Sequence, residues 1–233
     1  MSGLFNFYEH LPEELKPKQI KNLGYETHLI SSPCRILISG PSSAGKTLSI
    51  LNYLKLAKKG NKGQYNKITI FTKKNEVLYE FMKLKSPSTV DIIEMCNKDR
   101  VIPSIEEFDT TLRHFIIFDD LITSKEHFPA IREMFIRCRK TRPNPINICF
   151  ITQDFRAVEP MIRKNCNYFW VFRPSTEREK RVMYQDLPLL NNKELWVQLE
   201  KKDNPKQPSN FINYDVDKNK VRINFSKKYF GEH

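Results

Sequence analysis

The chain is poor in cysteine and has none in a C-x-x-C spacing. The five it holds (Cys34, Cys96, Cys138, Cys149 and Cys166) are odd in number and scattered through 233 residues. That excludes a disulfide-stapled scaffold and argues against a zinc site. Cys34 and Cys149 lie inside apolar runs, so buried free thiols in a reducing compartment are expected. No run approaches the ~18 apolar residues of a membrane span. The start, MSGLFNFYEHLPEEL, lacks the basic residues and apolar stretch of a signal peptide. A soluble intracellular protein with no membrane partner is the expectation. Internal repeats and low-complexity linkers are also missing, and a chain of this length buries a real core. Acidic residues are outnumbered: 27 Asp and Glu face 39 Lys and Arg, for a net charge of +12. Such a balance suits an acidic partner, nucleic acid first, although a Lys- and Asn-rich chain also arises from an AT-rich genome.

What is present is a regular alternation. Short apolar runs at 34–39, 67–72, 114–118, 146–152 and 168–172 have strand length and β-branched or aromatic content. Helical patterns separate them over Thr47 to Lys59, roughly Asn75 to Leu84, and Phe128 to Lys140. Alternation of this kind predicts an α/β fold with a mainly parallel sheet flanked by helices. The runs are continuous rather than alternating, as a sheet covered on both faces requires. Residues 1–33 read as an N-terminal extension, 34–175 as the core and 176–233 as a C-terminal elaboration. A polar helix over 176–186 and a late strand over 221–225 are expected within the last of these.

Between the first run and the first helix stands Gly40-Pro41-Ser42-Ser43-Ala44-Gly45-Lys46-Thr47, which satisfies G-x-x-x-x-G-K-[ST] in full. Glycines at the two ends let successive backbone N–H groups turn inward onto phosphate oxygens. The helix that follows adds its positive end. Lys46 reaches β- and γ-phosphates, and the Thr47 hydroxyl ligates Mg²⁺.

The run HFIIFDDL ends in adjacent carboxylates. Ligands of open α/β sheets bind at the C-terminal ends of strands. Asp119 is therefore assigned to the shell of Mg²⁺ and Asp120 to the attacking water. A GTPase would have D-x-x-G here and N-K-x-D elsewhere, and neither occurs. Gln153 sits just beyond the strand INICFIT, where its amide can bond phosphate and water together. The segment REMFIRCRKTRPNP carries Arg132, Arg137, Arg139, Lys140 and Arg142 against one acid. Three readings stand open for it: a solvated basic face, contacts to DNA phosphates, or an arginine reaching a neighbouring subunit's γ-phosphate. Arg139 and Arg142 are the candidates, being nearest a loop expected to lead to the active edge. A second tract, Lys55 to Lys74, holds seven lysines and no acid, which suits backbone contact with a nucleic acid.

Together GPSSAGKT, FIIFDDL and ICFITQ resemble the FtsK–HerA superfamily of P-loop ATPases. Within it the chain is similar to the genome-packaging ATPases of poxviruses, other large DNA viruses and virophages. The resemblance covers about residues 34 to 175. It implies a RecA-like P-loop NTPase core that assembles as a homo-oligomeric ring of five or six subunits. Such a ring hydrolyses ATP with Mg²⁺ and drives double-stranded DNA into a capsid, docking on a capsid or portal protein. The family's metal-binding acid, catalytic acid, sensor glutamine and trans-acting arginine fall on Asp119, Asp120, Gln153 and one of Arg137, Arg139 or Arg142. Many relatives carry Glu where Asp120 stands, one methylene longer. The resemblance also implies the host cytoplasm, a viral factory or the virion as location. Other readings are a cellular translocase or helicase of the same superfamily, a non-motor ATP-binding assembly switch, and a metabolite kinase with residues 176–206 as its lid.

Overall fold

The computed structural model describes residues 10, 12, 20–96, 100–200 and 209–231. Most of the expected N-terminal extension, and residues 201–206 of the lid reading, lie outside the described residues.

Eight strands build one sheet: β1 (Arg35–Ser39), β2 (Lys67–Thr72), β3 (Val90–Glu94), β4 (His114–Asp119), β5 (Asn147–Thr152), β6 (Tyr168–Val171), β7 (Ile212–Asp215) and β8 (Lys220–Ile223). Their spatial order is β8-β7-β6-β1-β5-β4-β2-β3. From β6 to β3 every neighbouring pair is parallel, and β7 and β8 add an antiparallel hairpin beside β6. The α/β architecture with a mainly parallel sheet is therefore present. Among the described residues six helices of more than one turn accompany it: α1 (Lys46–Leu56), α2 (Val77–Lys85), α3 (Phe128–Arg137), α4 (Pro160–Asn165), α5 (Glu177–Asp186) and α6 (Lys193–Glu200), with a single helical turn at Tyr25–His28 before them.

Both faces of the sheet are buried, and the pleat sorts the apolar runs between them. Ile36, Ile38, Ile70, Ile117, Ile151 and Trp170 pack with Tyr53 of α1 and Tyr79 of α2. Their strand neighbours Leu37, Phe71, Ile116, Phe118, Phe150 and Val171 point the other way, onto Ile131 and Phe135 of α3, Ile162 of α4 and Met183 of α5. This two-sided burial explains why the strands read as unbroken apolar runs. Each fully buried Ile or Phe contributes roughly 1.5–3 kcal/mol. Four of the cysteines are buried and free, and only Cys96 is exposed. Burial pushes the Cys34 thiol up to about 12, so it is packing material and not a reactive group.

Helix α1 stops at Leu56, three residues short of the expected Lys59. Lys58–Lys59 pair instead with Lys62–Gly63 in a small antiparallel ladder, turned at Gly60 with φ 58°. The late strand expected over 221–225 forms as β8, displaced toward its N-terminus by the turn at Asn224, whose φ is 52°. Strand order has one consequence for chemistry. β5 lies between β1, which feeds the glycine-rich loop, and β4, which ends in Asp119, so a residue at the end of β5 stands between the two.

Candidate active site

The segment 40–45 leaves β1 and enters α1 through backbone that few residues tolerate. Gly45, at the helix N-cap, has φ 97°, and Ser43 has φ 61°. Gly40 is required for a different reason. A Cβ there would stand 2.5 Å from the Cβ of Phe172, which follows β6 and bonds back to β1 through its N–H. The loop thus lies directly against the end of the neighbouring strand. Lys46 folds across it, donating to the carbonyls of Gly40 at 2.9 Å and Pro41 at 2.8 Å. Burial lowers its pKa, while Asp119, Asp120 and Glu76 pull the other way.

Asp119 ends β4 and is 5% exposed. Burial pushes its carboxyl up to about 6, against the hydroxyl of Tyr79, which donates to Oδ2 at 2.7 Å; Glu76 and Asp120 raise it further. Asp120 follows in left-handed backbone, φ 54°, which turns its side chain out of the strand direction. Its Oδ2 accepts from the amide of Gln153 at 3.5 Å. Gln153 itself is exposed just past the end of β5. All five features, the loop, Lys46, Asp119, Asp120 and Gln153, face one concavity of about 420 Å³.

Sequence reasoning missed three residues. Glu76, at the N-cap of α2, lines the same concavity and accepts a hydrogen bond from the Thr47 hydroxyl at 3.0 Å. Tyr79, one turn on, holds Asp119. Glu179 of α5 is a buried carboxylate that accepts from Ser39 Oγ at 3.5 Å and from the backbone N–H of Phe155 and Ser175 at 3.2 Å each. It ties the strand that enters the glycine-rich loop to the segment that follows Gln153. None of the three sits in a motif. The only signal was position, since Glu76 comes four residues after a strand that ends at the active edge.

Three carboxylates, Glu76, Asp119 and Asp120, thus face a single ammonium. Among the described residues no group of three or more His, Cys, Asp or Glu forms a ready-made metal cage. A nucleotide-bound Mg²⁺ does not need one, because phosphate oxygens and waters fill most of its shell. The excess negative charge, the upward-shifted Asp119 and the neutral hydroxyl of Thr47 fit such an ion. Thr47 would release Glu76 to reach it.

The arginines stand elsewhere. Arg139 and Arg142 precede β5, whereas Gln153 follows it, and β5 is parallel to β1. Both are therefore exposed at the edge of the sheet opposite the glycine-rich loop, about five strand residues away (roughly 17 Å). The expectation that their loop leads to the active edge is corrected: it leads into the N-terminal end of the strand. Arg137 is engaged by Glu106 and Glu133. No arginine lines the concavity among the described residues. The lysine tract is also divided. Lys58, Lys59, Lys62 and Lys67 lie at the far edge, while Lys73 and Lys74 stand beside the site, because β2 spans the sheet between them.

No protein-family model and no curated protein sequence matches the chain. Solved structures do. The genome packaging NTPase B204 from Sulfolobus turreted icosahedral virus 2, in complex with AMPPCP, superposes with a TM-score of 0.53 at 16% identity, over 83% of this chain and 98% of that one. EssC (ATPases 2 and 3) from Geobacillus thermodenitrificans gives 0.55 at 11% identity, over 96% of this chain and 49% of that one. The pCW3 conjugation coupling protein TcpA, with ATPγS, gives 0.50 at 14% identity, over 86% and 62%. At these identities the likeness concerns the fold: this chain has the P-loop NTPase fold that these structures share.

Proposed function

We propose that the chain is an ATP-hydrolysing motor that moves double-stranded DNA into a viral capsid, acting as a ring of five or six copies. The observation that carries the reading is the convergence of the glycine-rich loop, two strand-end carboxylates and Gln153 on one concavity. Loop N–H groups and Lys46 would hold the triphosphate. Thr47 and Asp119 would hold Mg²⁺, which neutralises charge on the leaving oxygens. Asp120 would take the proton of the attacking water, and Gln153, bonded to Asp120, would fix that water in line. Arg139 and Arg142, exposed at the opposite edge, are free of the cis site and suit the γ-phosphate of a neighbour. The lysines and arginines of that far edge suit a phosphate backbone. The description of B204 as a genome packaging NTPase supports capsid filling, and with it a capsid or portal partner and a host-cytoplasmic or viral-factory setting.

The test is Mg²⁺-dependent ATP turnover. Lys46→Ala and Asp120→Asn should each lower kcat by about 10²-fold or more, with Asp120→Asn still binding ATP. Mixing Lys46→Ala with Arg142→Ala or Arg139→Ala, each inactive alone, should restore part of the activity. Unchanged turnover in Asp120→Asn would remove it as the base, and mixtures that stay silent would remove the trans arginine.

A further inference from the structure

The side of α2 turned away from the core carries an apolar stripe. Val77, Phe81 and Leu84, spaced i, i+4 and i+7, are 83%, 52% and 79% exposed. The stripe begins at the rim of the phosphate concavity, which Glu76 and Leu78 line on either side of Val77, and runs about 10 Å along the helix. At Phe81 it borders a groove of about 660 Å³ between α1 and α2, whose lining includes Leu54, the lysines Lys55, Lys58 and Lys85, and no acid. Glu80, on the stripe's other flank, is engaged by Asn75. A matching surface lies on the opposite face of the sheet. Val101, 79% exposed, precedes Ile102 and Ile105, which pack in the cluster with α3. Val77, Leu84 and Val101 are the most exposed large apolar side chains among the described residues. The charge after Val101 has the opposite sign to that of the groove: Glu106, Glu107 and Asp109 are all exposed. Glu106 is engaged by Arg137, whereas Glu107 and Asp109 accept only from neutral groups in the items of this segment, the N–H of Ser104 at 2.6 Å and of Thr111 at 3.0 Å. The segment is tied to the loop of Arg142, whose carbonyl accepts from the Thr110 hydroxyl, while Asn144 donates to the carbonyls of Thr110 and Thr111 at 3.1 and 3.0 Å.

We propose that these two faces meet between neighbouring copies: the α2 face of one copy seats residues 101–109 of the next. The inference rests on the ring reading and names its interface. No arginine lines the concavity among the described residues, so a trans arginine needs a neighbour seated at the concavity's rim. The α2 stripe is the exposed apolar surface that reaches that rim. The neighbour's acids complement the lysines of the groove, and its Arg142, held to Thr110, arrives with them. The two faces differ and lie on opposite sides of the sheet. Contact between them is therefore head-to-tail and repeats from copy to copy, as a closed ring requires. DNA would account for the lysines but gives no use to exposed apolar side chains.

The experiment is sedimentation velocity of the full chain with Mg²⁺ and ATPγS, over a range of protein concentrations. Leu84→Asp puts a charge into the stripe, and Val101→Asp puts one into the segment. Both positions are exposed, so both variants should keep the wild-type thermal midpoint. Each alone should need about tenfold or more protein to assemble. An equimolar mixture, at a concentration where the wild type assembles and neither variant does, should give dimers and nothing larger, because each variant keeps the one face that the other has lost. Lys85→Glu should weaken assembly at low salt, by a factor that shrinks as salt rises. Variants that assemble like the wild type would overturn this interface and leave the ring to other faces. A mixture no more assembled than its parts would overturn the pairing of the two faces. Lys85→Glu that loses linear double-stranded DNA while assembly stands would give the α2 face to DNA instead. A wild type that stays monomeric at every concentration would overturn the ring reading, and the interface with it.

Discussion

Asp119 carries a cost that the sequence alone does not disclose. Its carboxyl titrates at about 6 in the folded chain against an ordinary 3.8, chiefly because it is buried. The folded state therefore favours the protonated form. Its contribution to stability is full below pH ~4, and is lost as the pH rises through about 6. At pH 7.5 the ionised group costs the nucleotide-free protein up to ~3 kcal/mol. Asp119→Asn should accordingly raise the thermal midpoint at pH 7.5 by several degrees, keep about half of that gain at pH 5, lose most of it by pH ~4, and abolish turnover. A lower midpoint at pH 7.5 would contradict this account of the group. The glycine-rich loop and the paired acids were legible because their chemistry needs fixed types at fixed spacing. Glu76 was not, because a carboxylate at a helix N-cap is common and only the fold brings it to Thr47.

At the level of elements, α2 has the larger role than expected, since Glu76 and Tyr79 place its first turn against both Thr47 and Asp119. Tyr79→Phe keeps the ring and removes one donor from an ionised carboxylate. The acidic limb of kcat/KM against pH should move upward by about one unit, and by the same linkage the thermal midpoint at pH 7.5 should fall by a few degrees. A limb that stays in place would mean that Tyr79 does not set the ionisation of Asp119. Six of the eight strands, and four helices, were readable from hydrophobic period and length. β3 was missed because its burial is partial and Asp91 and Glu94 break its run. β7 was missed because Asn213, Tyr214 and Asp215 do not look like a core strand, although all are buried beside β6. Its polar groups find partners in and beyond the hairpin turn: Asn213 donates to the carbonyl of Asn224 at 3.3 Å, Tyr214 to Asn219 at 2.8 Å, and Asp215 accepts from the N–H of Lys218 at 3.1 Å. α6 was missed amid scattered Lys and Asn, its buried stripe reduced to Leu195 and Leu199.

Across the whole molecule, the parallel strands hold two sets of residues apart by their own length. The glycine-rich loop, Asp119, Asp120 and Gln153 stand at the C-terminal ends of β1, β4 and β5, and Lys58, Lys59, Lys62, Arg139, Lys140 and Arg142 sit at the other edge. Sequence order concealed this, because a basic residue just before a strand and a glutamine just after it are close in number and far apart in space. A ring that stacks one edge against a neighbour's site would join them, and a net charge of +12 favours a polyanion near the assembly. Among the described residues no helix is long and apolar enough to cross a membrane. The most direct measurement of the central claim is steady-state ATP hydrolysis with and without linear double-stranded DNA, across a salt series. The account predicts stimulation by DNA that fades as salt rises and vanishes in Lys46→Ala and Asp120→Asn. Turnover indifferent to DNA at every salt concentration, beside tight ATP binding, would contradict the motor and leave a nucleotide-dependent switch.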